Sequence, residues 1–579
     1  MALTENAHKT RLKGAAQVGS CNLCALEMTP LGAGEVFVPL AVLAYFLFKH
    51  VAFLEAFGVI FTGVVFFLWT ETIDAESSES ANFTYFMRLR RFRFNGFGLA
   101  AETLNFLKYK TTYWKRRGIS GPPTNLFLGN IPDMKRPSQV LDVEWRAKYG
   151  KIFGTYMFGA PDLTICDISM VRQVLCSDFG NFVDRPQFLP YNPKDKTCLF
   201  QNSLNSRTGD EWKELRQHLT PAFTTGKIKN IIPLFNKCSK TYLSVLEEHF
   251  KSKQLVDLDR LNKRFTMDVI SQAAFGVDID SQLCEANLFV DHASTFFSAD
   301  FQSIRLTLLL HGVQILLPEA HGFFMEILKS LYETRFKNTE LAKSADYYEF
   351  ILHALSRDHR EAIDGVRSEG PNYQEIEINA QAFLFLLAGY ETTAFTLTAV
   401  FYLLALNPEE QEKARAEAKK ITSSDGTTYE QANQLHYIDQ VVSESLRMYT
   451  AGPRIWRLCT KTTQIGDLLI EKGTSITIPV NVIHYDEEIY HEPHKFNPDR
   501  FSTSERVARD PLAFLGFGAG PRNCIGTRFA QIEMKLLIAK LLKEFRLSVP
   551  SGAPKHPLKM ATGAFGRMGE QLLVHVEPL

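Results

Sequence analysis

The run Phe517-Gly518-Ala519-Gly520-Pro521-Arg522-Asn523-Cys524-Ile525-Gly526 sets a cysteine among clustered glycines and a proline, a composition that makes a loop rather than helix or strand. Thr527 to Phe545, directly after it, reads as an amphipathic helix with Phe529, Ile532, Leu536, Ala539 and Leu542 near helical spacing. Cys524 therefore sits at a helix start, where free backbone N–H groups and the helix dipole favour a thiolate, the form that binds metals. A dinucleotide-binding loop does not fit. Starting GxGxxG at Gly516 or Gly518 puts Pro521 or Asn523 where the last glycine belongs. An inert buried cysteine would leave Arg522 and the loop glycines without a reason.

Three further patterns carry chemistry or its support. Ala388-Gly389-Tyr390-Glu391-Thr392-Thr393 lies inside the apolar run Ala380 to Leu404, too long for a strand and so a buried helix. Phe385, Ala388, Gly389, Thr392 and Thr396 share one face whose middle has almost no side chain. The glycine costs a helix about 1 kcal/mol and leaves room for something flat; a helix-packing glycine beside a satisfied threonine is the bland alternative. The Thr392 hydroxyl can return to the carbonyl of Ala388. Glu444-Ser445-Leu446-Arg447 places opposite charges three apart on a helix, with Phe496-Asn497-Pro498-Asp499-Arg500-Phe501 downstream. Trp212 and Arg216, four apart in Trp212-Lys213-Glu214-Leu215-Arg216, share a face and offer an indole N–H and a guanidinium to a carboxylate. Asp210 is the expected N-cap of that helix, and Pro221 its expected end.

Taken together and in this order, the motifs resemble those of the cytochrome P-450 family, whose cysteine loop reads Phe-x-x-Gly-x-Arg-x-Cys-x-Gly. Every fixed position is matched. The resemblance covers roughly residues 111 to 579, and its details are similar to the microsomal branch that holds the drug and steroid oxidases and thromboxane synthase. It implies a mainly α fold with small β-sheets around haem b (iron protoporphyrin IX), preceded by an N-terminal membrane anchor. It implies Cys524 as the iron ligand, Phe517 packed under the ligand loop, and Arg522, Trp212, Arg216 and Arg454 holding haem propionates. Glu391 and Thr392 would relay protons on the opposite face, and Glu444, Arg447 and Arg500 would form a buried structural triad. The activity implied is monooxygenation of small lipophilic substrates (xenobiotics, steroids or fatty acids) with O2. The chain shows no flavin or nicotinamide motif, so electrons are expected from a separate NADPH-dependent flavoprotein reductase, with cytochrome b5 as a further candidate donor. A thiolate ligand pushes electron density onto iron and favours O–O cleavage. The alternative in the same family is an isomerase or dehydratase acting on a lipid peroxide, against which the intact Glu391-Thr392 pair argues. A haem carrier or sensor without turnover is the alternative outside enzymes. The family's layout places substrate against the loop before Trp212, Phe296 to Leu317, the helix face near Phe385, Thr450 to Arg457, and a C-terminal turn near Phe565. Thr450-Ala451-Gly452 stand where the family usually has proline.

The elements that position these residues need a sizeable scaffold. A length of 579 residues argues for two or more domains. Lysine plus arginine balance aspartate plus glutamate at 64 each, against the clustered basic surplus that nucleic acid requires. Nine scattered cysteines are no disulfide framework and suit the cytosol. Cys21 and Cys24 form a single CxxC, too little for a zinc site. From Val36 to Thr70 the chain is apolar except for Lys49, His50 and Glu55, and reads as a membrane anchor. Basic residues crowd downstream of it, at Arg88, Arg90, Arg91, Arg93, Lys108, Lys110, Lys115, Arg116 and Arg117, so the large C-terminal part is expected in the cytosol; the resemblance to the microsomal branch implies that the membrane is that of the endoplasmic reticulum. Asn82-Phe83-Thr84 would then escape glycosylation. The expected organisation is a tail (1–35), the anchor (36–70), a linker (71–110) and a catalytic domain (111–579). The distance from anchor to the Pro122-Pro123 hinge is longer than the family's norm.

Overall fold

The computed structural model describes residues 96–579 apart from 158, 188–197, 285, 299–317, 338–345, 365–369 and 424–425. The anticipated tail and anchor, Cys21, Cys24 and Asn82 lie outside the described residues, as do 71–95 of the linker and most of the Phe296–Leu317 segment. Residues 96–579 form one compact unit. Within them one large hydrophobic cluster gathers most of the helices, and a second, around Trp114, Leu163, Ile476 and Leu515, lies at the largest sheet.

The helices that matter for the site are α1 (Ser138–Tyr149), α2 (Gly209–Leu219), α3 (Thr225–Lys251), α4 (Leu258–Phe275), α5 (Leu288–Ser298), α6 (Tyr347–Leu355), α7 (Glu375–Leu406), α8 (Pro408–Ile421), α9 (His436–Met448) and α10 (Thr527–Glu544). The strands are β1 (Ile152–Met157), β2 (Ala160–Ile165), β3 (Val256–Asp257), β4 (Arg454–Leu458), β5 (Thr463–Ile465), β6 (Leu468–Ile470), β7 (Ser475–Pro479), β8 (Phe545–Ser548) and β9 (Leu573–Pro578). They make three small sheets, the largest ordered β1-β2-β7-β4. In it β2 and β7 run parallel with Leu163 opposite Ile476, while β4 runs antiparallel to β7 with Ile455 opposite Ile478. The fold is mainly α with small sheets.

α7 is the axis of the core. Its start is fixed by a capping box, the backbone N–H of Gln374 donating to Glu377 Oε2 at 3.0 Å. It is the one described helix long and apolar enough to cross a membrane, and it is buried in protein instead. α4 lies along it. Asn262 Nδ2 donates to Thr398 Oγ1 at 3.0 Å, and Thr266 Oγ1 to the carbonyl of Tyr390 at 3.0 Å. α4 itself is bounded by chemistry readable residue by residue. Asp257 caps the N–H of Arg260, and Gly276 closes the helix in the left-handed conformation at φ +68°.

Candidate active site

The cysteine loop is shaped by its own backbone. The N–H of Cys524 donates to the carbonyl of Phe517 at 2.9 Å, and that of Gly518 to Leu515 at 2.9 Å. Gly518 and Gly520 take φ of +71° and +72°, where side chains are strained. A Cβ on Gly520 would stand 1.8 Å from the carbonyl oxygen of Leu175, so only glycine lets the loop lie against that π-helical turn.

Cys524 is accessible, yet from inside a hollow. Protein surrounds it closely enough that burial pushes its thiol above the ordinary range. The Gly526 N–H, the Thr527 hydroxyl and the guanidinia of Arg216 and Arg185 pull the other way. The donors expected at a helix start are therefore present, but desolvation outweighs them. The N–H, hydroxyl and guanidinium groups around the sulfur are those that favour a thiolate when a cation binds it.

Above the loop lies a cluster of positive charge. Arg522 donates to the carbonyls of Val183 at 2.6 Å and Arg207 at 2.5 Å, and lies over the Trp212 ring at 4.9 Å. Arg216 donates to the carbonyl and side-chain oxygens of Asn523, each at 3.1 Å. Arg185 donates to Asn205 Oδ1. Arg457 is buried, and its Nε has no partner among the described residues. Burial and mutual repulsion push Arg522 down to about 8, Arg457 to about 9 and Arg185 to about 10. A guanidinium does not give up its proton in a protein, so these depressions mark a deficit of negative charge. Among the described residues none of the four makes an ion pair. Asp184 offers Arg522 one opposing charge, while its carboxylate also accepts the first N–H of α2, from Gly209 at 2.7 Å. Asp210, expected as that helix's N-cap, stands in its first turn instead and pairs with Lys213 at 2.9 Å.

Arg454 is not in this cluster. It is clamped to buried Asp142 of α1 by Nε to Oδ2 at 2.8 Å and a second nitrogen to Oδ1 at 2.5 Å. Arg454 and Arg457 are three apart on β4 and so face opposite sides of the sheet. Arg457 stands where Arg454 was expected.

The opposite wall is α7. Ala388 is exposed and Gly389 and Thr392 half-buried in the middle of a helix otherwise almost wholly buried, so this turn opens on a hollow. Thr392 Oγ1 donates to the carbonyl of Ala388 at 2.6 Å. At Gly389 the helix-packing alternative holds: its missing Cβ would stand 2.8 Å from Ile270 Cδ1, so the glycine admits α4. Phe223 joins the two walls, lying 3.8 Å from the place of a Cβ on Gly526 and 5.2 Å, ring to ring, from Phe385. Glu391 points away to α4. It is buried and pairs with Lys263 at 3.0 Å, which in turn pairs with the half-exposed Asp259 at 2.9 Å. Burial holds the Glu391 carboxyl above its usual range, Lys263 opposing, and its Oε2 has no hydrogen-bond partner among the described residues.

Behind the loop, Glu444 receives Arg447 through two bonds at 2.7 and 2.9 Å and Arg500 at 3.4 Å, all buried. Arg447 continues to the carbonyls of His484 and Pro493, both at 2.8 Å. The C-terminal turn expected against substrate packs on Thr450-Ala451: Gly566 N–H donates to Ala451 at 2.9 Å, and Phe565 lies 5.5 Å from the Phe297 ring.

These groups suit a flat, dianionic macrocycle carrying a cation. There is one thiol in a hollow, a small-residue wall opposite, four guanidinia without an ion-pair partner among the described residues and one buried Nε without a hydrogen-bond partner among them. Haem answers to each, with Cys524 for the iron and Arg185, Arg216, Arg457 and Arg522 for the carboxylates. Arg185 and Arg457 escaped the sequence reading. Each belongs to a stretch with no spacing signal, and only the fold aims them at the loop.

The sequence profile of the family described as Cytochrome P450 matches residues 119–573. The chain is similar to cytochrome P450 3A2 of Rattus norvegicus, 31% identical over 80% of this chain and 92% of that one. It is similar also to cytochrome P450 3A7 of Homo sapiens, at 31% over 78% and 89%. Probable cytochrome P450 6a14 of Drosophila melanogaster is 34% identical over 76% and 90%.

Proposed function

The chain belongs to the cytochrome P450 family of oxygen-incorporating oxidoreductases, and from that premise we propose that it inserts one oxygen atom of O2 into small lipophilic substrates (xenobiotics, steroids or fatty acids). Haem b bound at Cys524 supplies the oxygen chemistry. Electrons come singly from a separate NADPH-dependent flavoprotein reductase, and the enzyme sits on the cytosolic face of the endoplasmic reticulum membrane. The protein's own part is to bind, orient and deliver protons. Arg185, Arg216, Arg457 and Arg522, with Trp212, hold the carboxylates of the cofactor. Ala388 and Thr392 border the reacting space, and the Thr392 hydroxyl can pass on a proton that it now donates to the carbonyl of Ala388. Glu391 lies nearby: burial holds its carboxyl above the usual range against the pull of Lys263, and Lys263 and Asp259 link it outward. Phe565, Phe297 and the Thr450–Ala451 backbone offer the apolar contact a lipophilic substrate needs.

The observation that carries this reading is the uncompensated guanidinium cluster standing over an accessible cysteine. Its test is the difference spectrum of the reduced, carbon-monoxide-bound protein beside a Cys524→Ala control. A red-shifted thiolate-haem band is expected in the wild type and not in the variant; its absence from the wild type sinks the reading. For proton delivery, Thr392→Ala is expected to keep haem and to divert reducing equivalents into peroxide. Coupling equal to wild type would remove Thr392 from that role.

A further inference from the structure

A buried histidine whose two nitrogens both bond to backbone, one to a carbonyl and one to an N–H, is fixed in a single tautomer. His484 is such a residue. It is wholly buried at the end of a short helix, Val480–His484, behind the cysteine loop. Its Nδ1 lies 3.0 Å from the carbonyl of Arg447, an acceptor only, so Nδ1 carries the proton. Its Nε2 then has a lone pair and receives the N–H of Leu515 at 2.9 Å. The ring stacks on Phe514 at 5.5 Å with 11° between planes.

Both neighbours belong to machinery already described. Arg447 is the hub of the buried triad, and it returns the contact by donating to the carbonyl of His484 at 2.8 Å. Leu515 begins the cysteine loop, and its carbonyl takes the N–H of Gly518 at 2.9 Å. The loop then closes through the Cys524 N–H on Phe517. An unbroken path therefore runs from Glu444 through Arg447 and His484 to Leu515 and the cysteine turn. Leu515 and Arg447 are buried, so removing the imidazole takes away the partner of a buried N–H at one end and of a buried carbonyl at the other.

We propose that His484 is a positioning residue for the iron ligand, the link through which the Glu444–Arg447–Arg500 triad fixes the cysteine loop. The inference rests on Cys524 binding haem as proposed above. It gives the triad a specific role: Tyr490, whose hydroxyl donates to the carbonyl of Ala513 at 3.0 Å, and Phe501, packed on Phe514, also tie the two regions together, but His484 is the link that bonds directly to Arg447 and to Leu515 of the loop. A merely space-filling histidine would depend on ring shape and stacking, whereas a link depends on the acceptor at Nε2.

Three variants of the full-length holoprotein separate these. His484→Gln brings an amide oxygen near the place of Nε2 and can still accept the Leu515 N–H. His484→Asn reaches only the place of Nδ1, and His484→Phe keeps the stacked ring and loses both bonds. The readout is the reduced carbon-monoxide spectrum at equal haem content, as the ratio of the red-shifted thiolate band to the unshifted band of haem detached from Cys524, followed over pH. The expected result is a ratio near wild type for Gln and about tenfold lower for Asn and Phe, the scale of a buried N–H left without acceptor. A wild-type ratio in Asn or Phe overturns the proposal, as does Gln falling with them. Should Phe not fold, the Gln–Asn contrast decides alone. If the wild type itself shows no red-shifted band, it is the haem-thiolate reading that fails, an outcome distinct from these.

Discussion

At Arg454 and Arg457, two guanidinia on one short strand carry opposite consequences for stability. Arg454 and Asp142 form a buried pair, each compensating the other's lost hydration. Arg457 has no anion and faces Arg185 and Arg522. Arg454→Gln is expected to destabilise apo and holo protein alike by about 3–5 kcal/mol, since it strands a buried carboxylate. Arg457→Gln is expected to do the reverse to the apo protein, raising its melting temperature by relieving repulsion. Its haem affinity should fall at least about tenfold, the scale of one charge-assisted hydrogen bond. Melting curves with and without haem, together with haem titrations, read both effects. A loss of apo stability in Arg457→Gln would contradict the charge-deficit account of the cluster.

Elements explain what the motif residues do not. α7 is read from sequence as a buried helix because its apolar run is too long for a strand, and the return of Thr392 to Ala388 follows from helix geometry alone. The Glu444–Arg447 pair follows likewise from a spacing of three. What spacing cannot supply is which neighbour an element meets. Gly389 could admit a flat ligand or another helix, and only the packing of α4 decides for the helix, through Ile270. Arg454 and Arg457 can be told to face opposite ways, but which way is set by where β4 joins β7. His484 matches no spacing at all, for its partners lie 37 and 31 residues away. The helix contact is testable as a coupling. Gly389→Ala should cost about 1–3 kcal/mol in overpacking, less about 1 kcal/mol returned by helix propensity. Ile270→Ala alone should cost about 2–5 kcal/mol. Combined, they should cost less than the sum by about 0.5–3 kcal/mol, because the new methyl enters the space vacated. Strict additivity in denaturant unfolding would mean that the two residues do not meet.

Across the whole molecule, packing of three helices leaves one acid with nowhere to put its charge. Glu533 of α10 is 1% exposed, and neither carboxylate oxygen has a hydrogen-bond partner among the described residues. Tyr347 of α6 and Cys238 of α3 both feel its charge, and the Tyr347 hydroxyl too has no partner among the described residues. Burial alone raises the Glu533 carboxyl well above its usual range. The folded protein therefore holds this proton more tightly than the unfolded chain does. Its contribution to stability is complete below the ordinary carboxylate pKa and is lost as pH rises towards the folded value, at up to about 1.4 kcal/mol per pH unit. His484 acts in the opposite direction. Burial and Arg447 push it down to about 3, so the unfolded chain takes up its proton first and stability is lost as pH falls from the ordinary histidine range. Glu533→Gln keeps the shape and removes the ionisation. It should leave the melting temperature unchanged near pH 4 and raise it increasingly from about pH 5 upward, flattening the alkaline limb while the acid limb, to which His484 contributes, stays as it was. Melting temperature against pH for wild type and Glu533→Gln is the measurement. A gain equal at every pH would assign the effect to packing, and a loss at neutral pH would mean that the carboxylate has found a partner.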